Sequence, residues 1–421
     1  MPYRSYWGVQ VRIMIKKVIP DSAECVVIGG GPAGSTAATM LAREGLKTVV
    51  FERSRFPRPH VGESLMPAAN AVFKELGVAE KLSKAGFPNK IGVQFASRSG
   101  KETSPFIFGR PENGGLEDTW HVERSVLDQI LLEHSAECGA TVLEGFRVQK
   151  VIFGEDNEVV GVRVTDDAGN PVEVLTSLVV DASGQQSFIA NKLGVKEFDT
   201  CRKNASIWTY YDSAVSMFSD QVLTLIAQTE CGDCWFWHIP ISENRVSLGL
   251  VGPREIILTG DLEAALESKI EACPAIRKRL QGLRRGDELH VARDFAYTAS
   301  NAAGNGWVLV GDALGFIDPV YSTGVFLAIK SAQLAAENII TSMSRGDLSG
   351  NSLGQWYSDY KMRVSWLRTL VELFYDNSFH FGDFIRTNPS LASELASLLT
   401  GNVFDRDARD FIKAADIYRG K

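Results

Sequence analysis

Val26-Val27-Ile28-Gly29-Gly30-Gly31-Pro32-Ala33-Gly34 decides the fold of this chain, because a β-branched apolar run passes through a glycine turn directly into helical spacing. Glu24 to Ile28 reads as a buried strand, Pro32 to Glu44 as a helix ending near Gly45, and Leu46 to Glu52 as the next strand. That order is a β-α-β unit and requires a parallel sheet. Gly29 permits the tight turn, Gly31 lets backbone approach a pyrophosphate, and Gly34 lets the helix pack close to the strand. The helix N-terminus then faces the anion. Glu52, 21 residues beyond Gly31 and followed by Arg53, stands where a carboxylate accepts ribose hydroxyls.

This fingerprint does not separate NAD from FAD, but downstream segments do. Arg124-Ser-Val-Leu-Asp128 opens a helix, Asp181-Ala-Ser-Gly184 follows the apolar run Leu178–Val180, and Gly311-Asp312 follows Trp307–Val310. An Asp at a strand end followed by small residues accepts hydrogen bonds from a ribityl chain. Their order and spacing point to FAD.

The remainder of the chain is punctuated by Gly and Asn turns, without internal repeats. Pro67 to Leu76 and Arg124 to Cys138 read as helices. Alternation predicts sheet over 92–108, 148–152, 159–164, 172–180, 206–211, 221–227 and 245–251. A helix is expected from about Gly324 to Ser342, and 353–421 reads as mostly helical. The expected organisation is therefore discontinuous: an N-terminal extension over 1–22, a Rossmann-like FAD-binding domain from 23–85, 116–200 and 290–345, a β-rich substrate domain from 86–115 and 201–289, and a helical C-terminal segment over 346–421. Met14 would serve as a start equally well, which makes 1–13 read as an upstream extension.

The 421 residues, 45% apolar with a net charge of −7, suffice for a sizeable core and give no electrostatic reason to expect nucleic acid or an anionic membrane. No apolar run reaches the ~18–20 residues that span a bilayer, and the basic N-terminus lacks the apolar stretch of a secretory signal. Six scattered cysteines favour free thiols in a reducing cytoplasm. Cys231-Gly-Asp-Cys234 has redox or zinc spacing, yet no second pair stands at zinc-ribbon distance, so two buried or half-buried thiols is the plainer reading and no metal is expected.

With these residues in place, the sequence resembles the FAD monooxygenases of the para-hydroxybenzoate hydroxylase type over about residues 22–345, and within them the flavin-dependent halogenases. Three segments carry the resemblance. Trp235-Phe-Trp237-His-Ile239-Pro240 matches the halogenase W-x-W-x-I-P pattern, which implies that Trp235 and Trp237 line the region near the flavin. Lys90, in Phe87-Pro-Asn-Lys90-Ile-Gly92, occupies the setting of the lysine that meets hypohalous acid. Gly311-Asp312-Ala-Leu-Gly-Phe-Ile-Asp318-Pro319-Val-Tyr321-Ser322-Thr323-Gly324 matches the flavin loop that seats halide, which implies chloride or bromide at the amides of Thr323 and Gly324. Arg58-Pro-His60-Val-Gly62-Glu63-Ser64-Leu65 resembles the strap against the isoalloxazine.

What the resemblance implies is a two-component enzyme: reduced FAD from a separate flavin reductase, dioxygen and halide giving hypohalous acid, and Lys90 presenting it to an electron-rich ring. Tyr321 stands where tryptophan halogenases carry a glutamate, and the chain is shorter than theirs. The resemblance therefore points to phenolic or pyrrolic precursors, free or carrier-tethered, rather than free tryptophan. A hydroxylase or geranylgeranyl-reductase-like enzyme of the same fold, with Lys90 incidental, and a carrier-binding flavoprotein of a synthase assembly are the competing readings.

Overall fold

A computed structural model describes residues 19–109, 117–166, 168–199, 203–216, 222–293 and 296–420. The expected extension 1–22 and Cys201 lie largely or wholly outside these residues. The strand Cys25–Ile28 pairs in parallel with Thr48–Glu52 on one side and Val179–Asp181 on the other. Trp307–Leu309 and Thr141–Glu144 extend this sheet in parallel, and Ala303–Gly304 closes one edge antiparallel, giving six strands. Cys25–Ile28 is buried throughout, as a central parallel strand covered on both faces must be.

The helices Pro32–Arg43 and Thr323–Ser344 pack against this sheet through small residues, among them Ala33, Ala37, Ala328 and Ala332. Small side chains let both helix backbones come close, so both N-termini reach the same end of the sheet. A Cβ on Gly34 would collide with the Gly29 carbonyl oxygen, which is the close helix–strand packing expected of that position.

The second large element is an eight-stranded sheet. Its spine is Asn204–Asp212, Arg245–Pro253, Trp235–Ser242 and Leu223–Gln228, with Gly92–Ala96 joined in parallel to the last. Two differences from the sequence reading concern this region. His290–Arg293 pairs with Asn204–Asp212, so the strand just after the expected boundary belongs to the large sheet. The segment 253–280, expected only as part of a β-rich stretch, holds the helices Leu262–Glu271 and Pro274–Arg279; Asp261 caps the first by accepting the amides of Glu263 and Ala264.

The expected strand 172–180 is in fact two. Pro171–Leu175 joins an antiparallel three-stranded sheet with Val159–Thr165 and Arg147–Phe153, whereas Val179–Asp181 enters the parallel sheet. Between them the Thr176 hydroxyl bonds the carbonyls of Glu24 and Leu178 and so holds the turn from one sheet to the other. Continuous β propensity carries no mark of such a change of partner. After Ser344 the chain is helical, with Tyr357–Tyr375 its longest element. No helix of the described residues is long and apolar enough to cross a membrane.

Candidate active site

The sheet's C-terminal end, the strap and the large sheet enclose a cavity of about 720 Å³. Gly29, Gly31, Glu52 and Arg53 from the fingerprint, Gly62, Glu63 and Ser64 from the strap, and Arg124, Gly184, Asp312, Pro319 and Gly324 from downstream all line it. These residues are spread over nearly 300 positions of sequence, and the sheet order gathers them. Trp208, Ile226, Trp237 and Ile239 from the large sheet form an apolar end.

The walls fit FAD. A Cβ on Gly31 would meet nothing nearer than Arg58 Nη2 at 3.6 Å, so its cavity side is open for a close backbone approach to phosphate. Glu52 accepts the amides of Gly30 (2.8 Å) and Ser54 (2.7 Å), which fixes its carboxylate on the wall with lone pairs to spare for a ribose. Gly62 has φ +104°, and a Cβ there would come within 2.8 Å of Arg124 Nη1, so the strap runs where only glycine is accommodated. Arg124 is buried in a two-point ion pair with Asp128 at 2.8 and 3.0 Å and holds the strap by donating to the Val61 carbonyl at 2.5 Å. Burial raises the Asp312 carboxyl to about 6, against the opposing charges of Arg124 and Lys196.

Five of the sequence-predicted residues stand behind the wall. Gly34 packs against Gly29. Asp181, fully buried, accepts the amides of Ser183 (3.0 Å) and Ile189 (2.6 Å); it braces the loop that carries Gly184 and so acts on the cavity through that loop. Thr323 is the first residue of its helix and is buried; Ser322 before it, at φ +60°, lies on the wall with Gly324. A left-handed residue followed by helical ones turns consecutive amides toward one point, the geometry of an anion nest.

Trp235 and Trp237 share one face of their strand, as period two requires, with ring centroids 6.4 Å apart. Only Trp237 lines the cavity; its ring packs over the cross-strand Gly249, and its Nε1 donates to Ser247 Oγ at 3.2 Å. Trp235 Nε1 instead donates to the Tyr375 hydroxyl (2.8 Å), which also accepts Asn204 Nδ2 (3.2 Å) and donates to Asp318 Oδ2 (3.0 Å). Asp318 in turn accepts the Val320 amide at 3.0 Å in the loop before the nest. Tyr375 thus ties the tryptophan strand and the anion loop to the C-terminal helix, a role that sequence reasoning missed because the tyrosine carries no motif.

Lys90 is 1% exposed, on a two-residue strand paired with Thr119–Trp120. Its amine donates to the Leu65 carbonyl at 2.7 Å and lies over the Phe108 ring at 5.3 Å. Burial alone lowers it to about 7, so a large share is neutral amine near neutrality. Lys90 makes no ion pair with a carboxylate among the described residues. Tyr321, directly before Ser322-Thr323-Gly324, is buried against Phe95 and Phe374.

A polar chain links Lys90's surroundings to the cavity wall. His121 Nδ1 faces the Pro240 carbonyl at 2.9 Å, Nε2 faces Thr224 Oγ1 at 2.8 Å, and Thr224 Oγ1 meets Ser64 Oγ at 2.8 Å. A carbonyl only accepts, so Nδ1 carries the proton. Burial and the Lys90 charge keep the ring neutral, so Nε2 accepts from Thr224 and Thr224 accepts from Ser64. Ser64 is thereby left with lone pairs toward the cavity.

Of the Cys231/Cys234 pair, Cys231 is exposed rather than half-buried, while Cys234 is buried with its thiol pushed up to about 12; both are free. Among the described residues no group of His, Cys, Asp and Glu could hold a metal ion.

The family model described as Tryptophan halogenase matches residues 24–115 and 109–383. The 1H-pyrrole-2-carbonyl-[peptidyl-carrier protein] chlorinase of Pseudomonas fluorescens is 31% identical over 405 residues, covering 90% of this chain and 89% of its own. The corresponding brominase of Pseudoalteromonas luteoviolacea is 31% identical over 414 residues, covering 94% and 96%. The solved structure of the flavin-dependent brominase Bmp2 superposes with a TM-score of 0.84 at 28% identity, covering 95% of this chain and all of that one. Fold, cofactor-sized cavity and family match agree: the chain belongs to the tryptophan halogenase family and is an FAD-dependent enzyme of the flavin-dependent halogenase type.

Proposed function

We propose that this enzyme halogenates an electron-rich pyrrolic or phenolic acyl group held on a peptidyl carrier protein, in the cytoplasm, with reduced FAD supplied by a separate flavin reductase. The observation that carries the substrate reading is the near end-to-end match to two relatives named for pyrrole-2-carbonyl groups on a peptidyl carrier. Tyr321 supports it, since its buried phenol leaves Lys90 without the glutamate partner associated with free tryptophan.

Gly31 and Glu52 would hold the adenosine-pyrophosphate end of FAD, and Gly62, Arg124 and Pro319 would border its ring. Reduced FAD supplies the two-electron activation of dioxygen; the protein supplies position and exclusion of water. The amides of Thr323 and Gly324 would hold chloride or bromide beside the ring. Trp237, filling the apolar end, would keep organic substrate away from the flavin while leaving room for a small neutral oxidant. Lys90, one layer behind Ser64 and Leu65, would receive hypohalous acid in one of two ways. Its ammonium form donates a hydrogen bond to the acid. Its neutral form attacks the halogen, giving R–NHX and water from R–NH2 and HOX.

The test combines protein, flavin reductase, FAD, nicotinamide and halide with pyrrole-2-carbonyl and hydroxybenzoyl groups, each free and carrier-bound. Mass spectrometry is expected to show halogen replacing ring hydrogen on a carrier-bound substrate alone. Hydroxylated or reduced products across the panel would overturn the reading in favour of the hydroxylase or reductase alternative. Carrier binding without any turnover would favour a role within an assembly.

A further inference from the structure

Glu63 stands on the cavity wall directly after Gly62 and is 2% exposed. Its Oε1 accepts the Tyr210 hydroxyl at 2.8 Å, whereas its buried Oε2 has no partner at hydrogen-bond distance and geometry, although the Ser247 hydroxyl bears on the carboxyl. A buried carboxyl oxygen left unpaired is costly unless something meets it. Oε2 itself is closed to solvent, but Glu63 reaches the wall of the cavity in which the cofactor and its oxygen chemistry would be.

The placement of the proton follows from the geometry. Burial beside Glu63 pushes the ionisation of Tyr210 far above the usual range, so the phenol keeps its proton and donates it to Oε1. The acid proton of a neutral Glu63 therefore sits on Oε2. Burial raises this carboxyl to about 7, while the hydroxyls of Ser247 and Tyr210 and the charge of Arg124 pull downward and Glu123 adds a small upward push. The groups facing it come from two strands of the large sheet, Asn204–Asp212 and Arg245–Pro253, and from the start of the helix Arg124–Glu137.

The proposed reaction has a proton requirement. Reduced FAD, dioxygen, halide and one proton give oxidised FAD, hypohalous acid and water: FADH2 + O2 + X⁻ + H⁺ → FAD + HOX + H2O. Halide loses two electrons and FADH2 two, and dioxygen takes all four. We propose that Glu63 donates this proton: the O–H bond at Oε2 breaks, the proton joins an oxygen derived from dioxygen, and solvent reprotonates the carboxylate between turnovers. This rests on the halogenase reading above.

Three measurements test it on the holoenzyme. An infrared difference spectrum, wild type minus Glu63→Gln in D2O, is expected to show the carbonyl stretch of a protonated carboxylic acid at pH 6 that fades by pH 8.5. Formation of hypohalous acid, trapped by a small halogen acceptor without aromatic substrate, is expected to fall about 100-fold in Glu63→Gln, within the usual range for a general acid. The alkaline fall of the wild-type profile should vanish with it. Tyr210→Phe removes a donor that favours the carboxylate, so its alkaline fall should move to higher pH; this arm decides the matter if Glu63→Gln does not retain FAD.

No acid signal at pH 6, a wild-type rate in Glu63→Gln, or an alkaline limb unmoved by either substitution would each overturn the proposal. Absence of hypohalous acid from the wild type at every pH marks instead the failure of the halogenase reading, and takes this proposal with it.

Discussion

The amine of Lys90 and the carbonyl of Leu65 stand 2.7 Å apart, so the strap that borders the cofactor cavity also anchors a fully buried lysine. That one hydrogen bond places the lysine a single layer behind Ser64, with His121, Thr224 and Ser64 linking the same region to the wall. Among the described residues the lysine has no carboxylate partner, and its anchoring and its burial can both be tested.

Lys90→Ala and Lys90→Met are expected to keep stoichiometric FAD and near wild-type oxidation of the reduced flavin, yet to lose the carbon–halogen product by about 100-fold or more. Single-turnover halogenation with chemically reduced FAD reads this. The pH profile of halogen transfer from added hypohalous acid, which bypasses Glu63, separates the two forms of Lys90. A halogen transferred through neutral amine gives a rate that rises as pH passes 7, whereas a donating ammonium gives a rate that falls. Wild-type yield and regiochemistry in Lys90→Ala would reduce Lys90 to a structural residue.

The same burial predicts a stability signature. Unfolded, the amine keeps its proton to about 10.4; folded, it releases it near 7. Between those values the unfolded state binds more protons, so wild-type stability rises with pH through that window. Lys90→Met lacks the titration. Urea denaturation should therefore show wild type gaining on Lys90→Met by on the order of 2 kcal/mol from pH 6.5 to pH 9. A pH-independent difference would mean that the amine is not desolvated.

Gly31→Val should separate cofactor binding from folding. A Cβ at Gly31 meets only Arg58 Nη2 at 3.6 Å, so the apoprotein should fold with near wild-type thermal stability while the branches fill the pyrophosphate approach. Flavin absorbance after gel filtration is expected to fall to background. Retained FAD would mean that the pyrophosphate lies elsewhere.

Tyr375→Phe should loosen the anion loop without touching the cavity. Asp318 loses a donor, and Trp235 Nε1 and Asn204 Nδ2 lose their acceptor. A loss of about 1–3 kcal/mol in stability is expected, together with a higher halide KM and little change in FAD affinity. An unchanged halide KM would confine Tyr375 to packing.

Purified protein with FAD and NADPH should consume little NADPH until a flavin reductase is added. Stopped-flow absorbance would show rapid flavin reduction by the protein alone if a second nucleotide were bound, and a single-component hydroxylase would then be the better account.

The glycine fingerprint, the buried strand before it and Glu52 could be read from sequence because each obeys a local rule: burial on both faces, a turn only glycine accommodates, a carboxylate at a strand end. Lys90, Trp235 and Trp237 were legible as residues, by their neighbours. Sequence could not tell that Trp237 faces the cavity while Trp235 turns to Tyr375, since period two gives them one face and only the helix packed against that face distinguishes them. Nor could it tell that Lys90 is buried, that Asp181 braces a loop from behind, or that 172–180 serves two sheets. Burial, charge and strand partner are set by what lies across the fold, here by segments such as Leu65, Tyr210 and Tyr375 far off in the chain. The sequence by itself thus determined the cofactor class and the family chemistry; only the tertiary structure decided which side chains meet the cavity and in which protonation state.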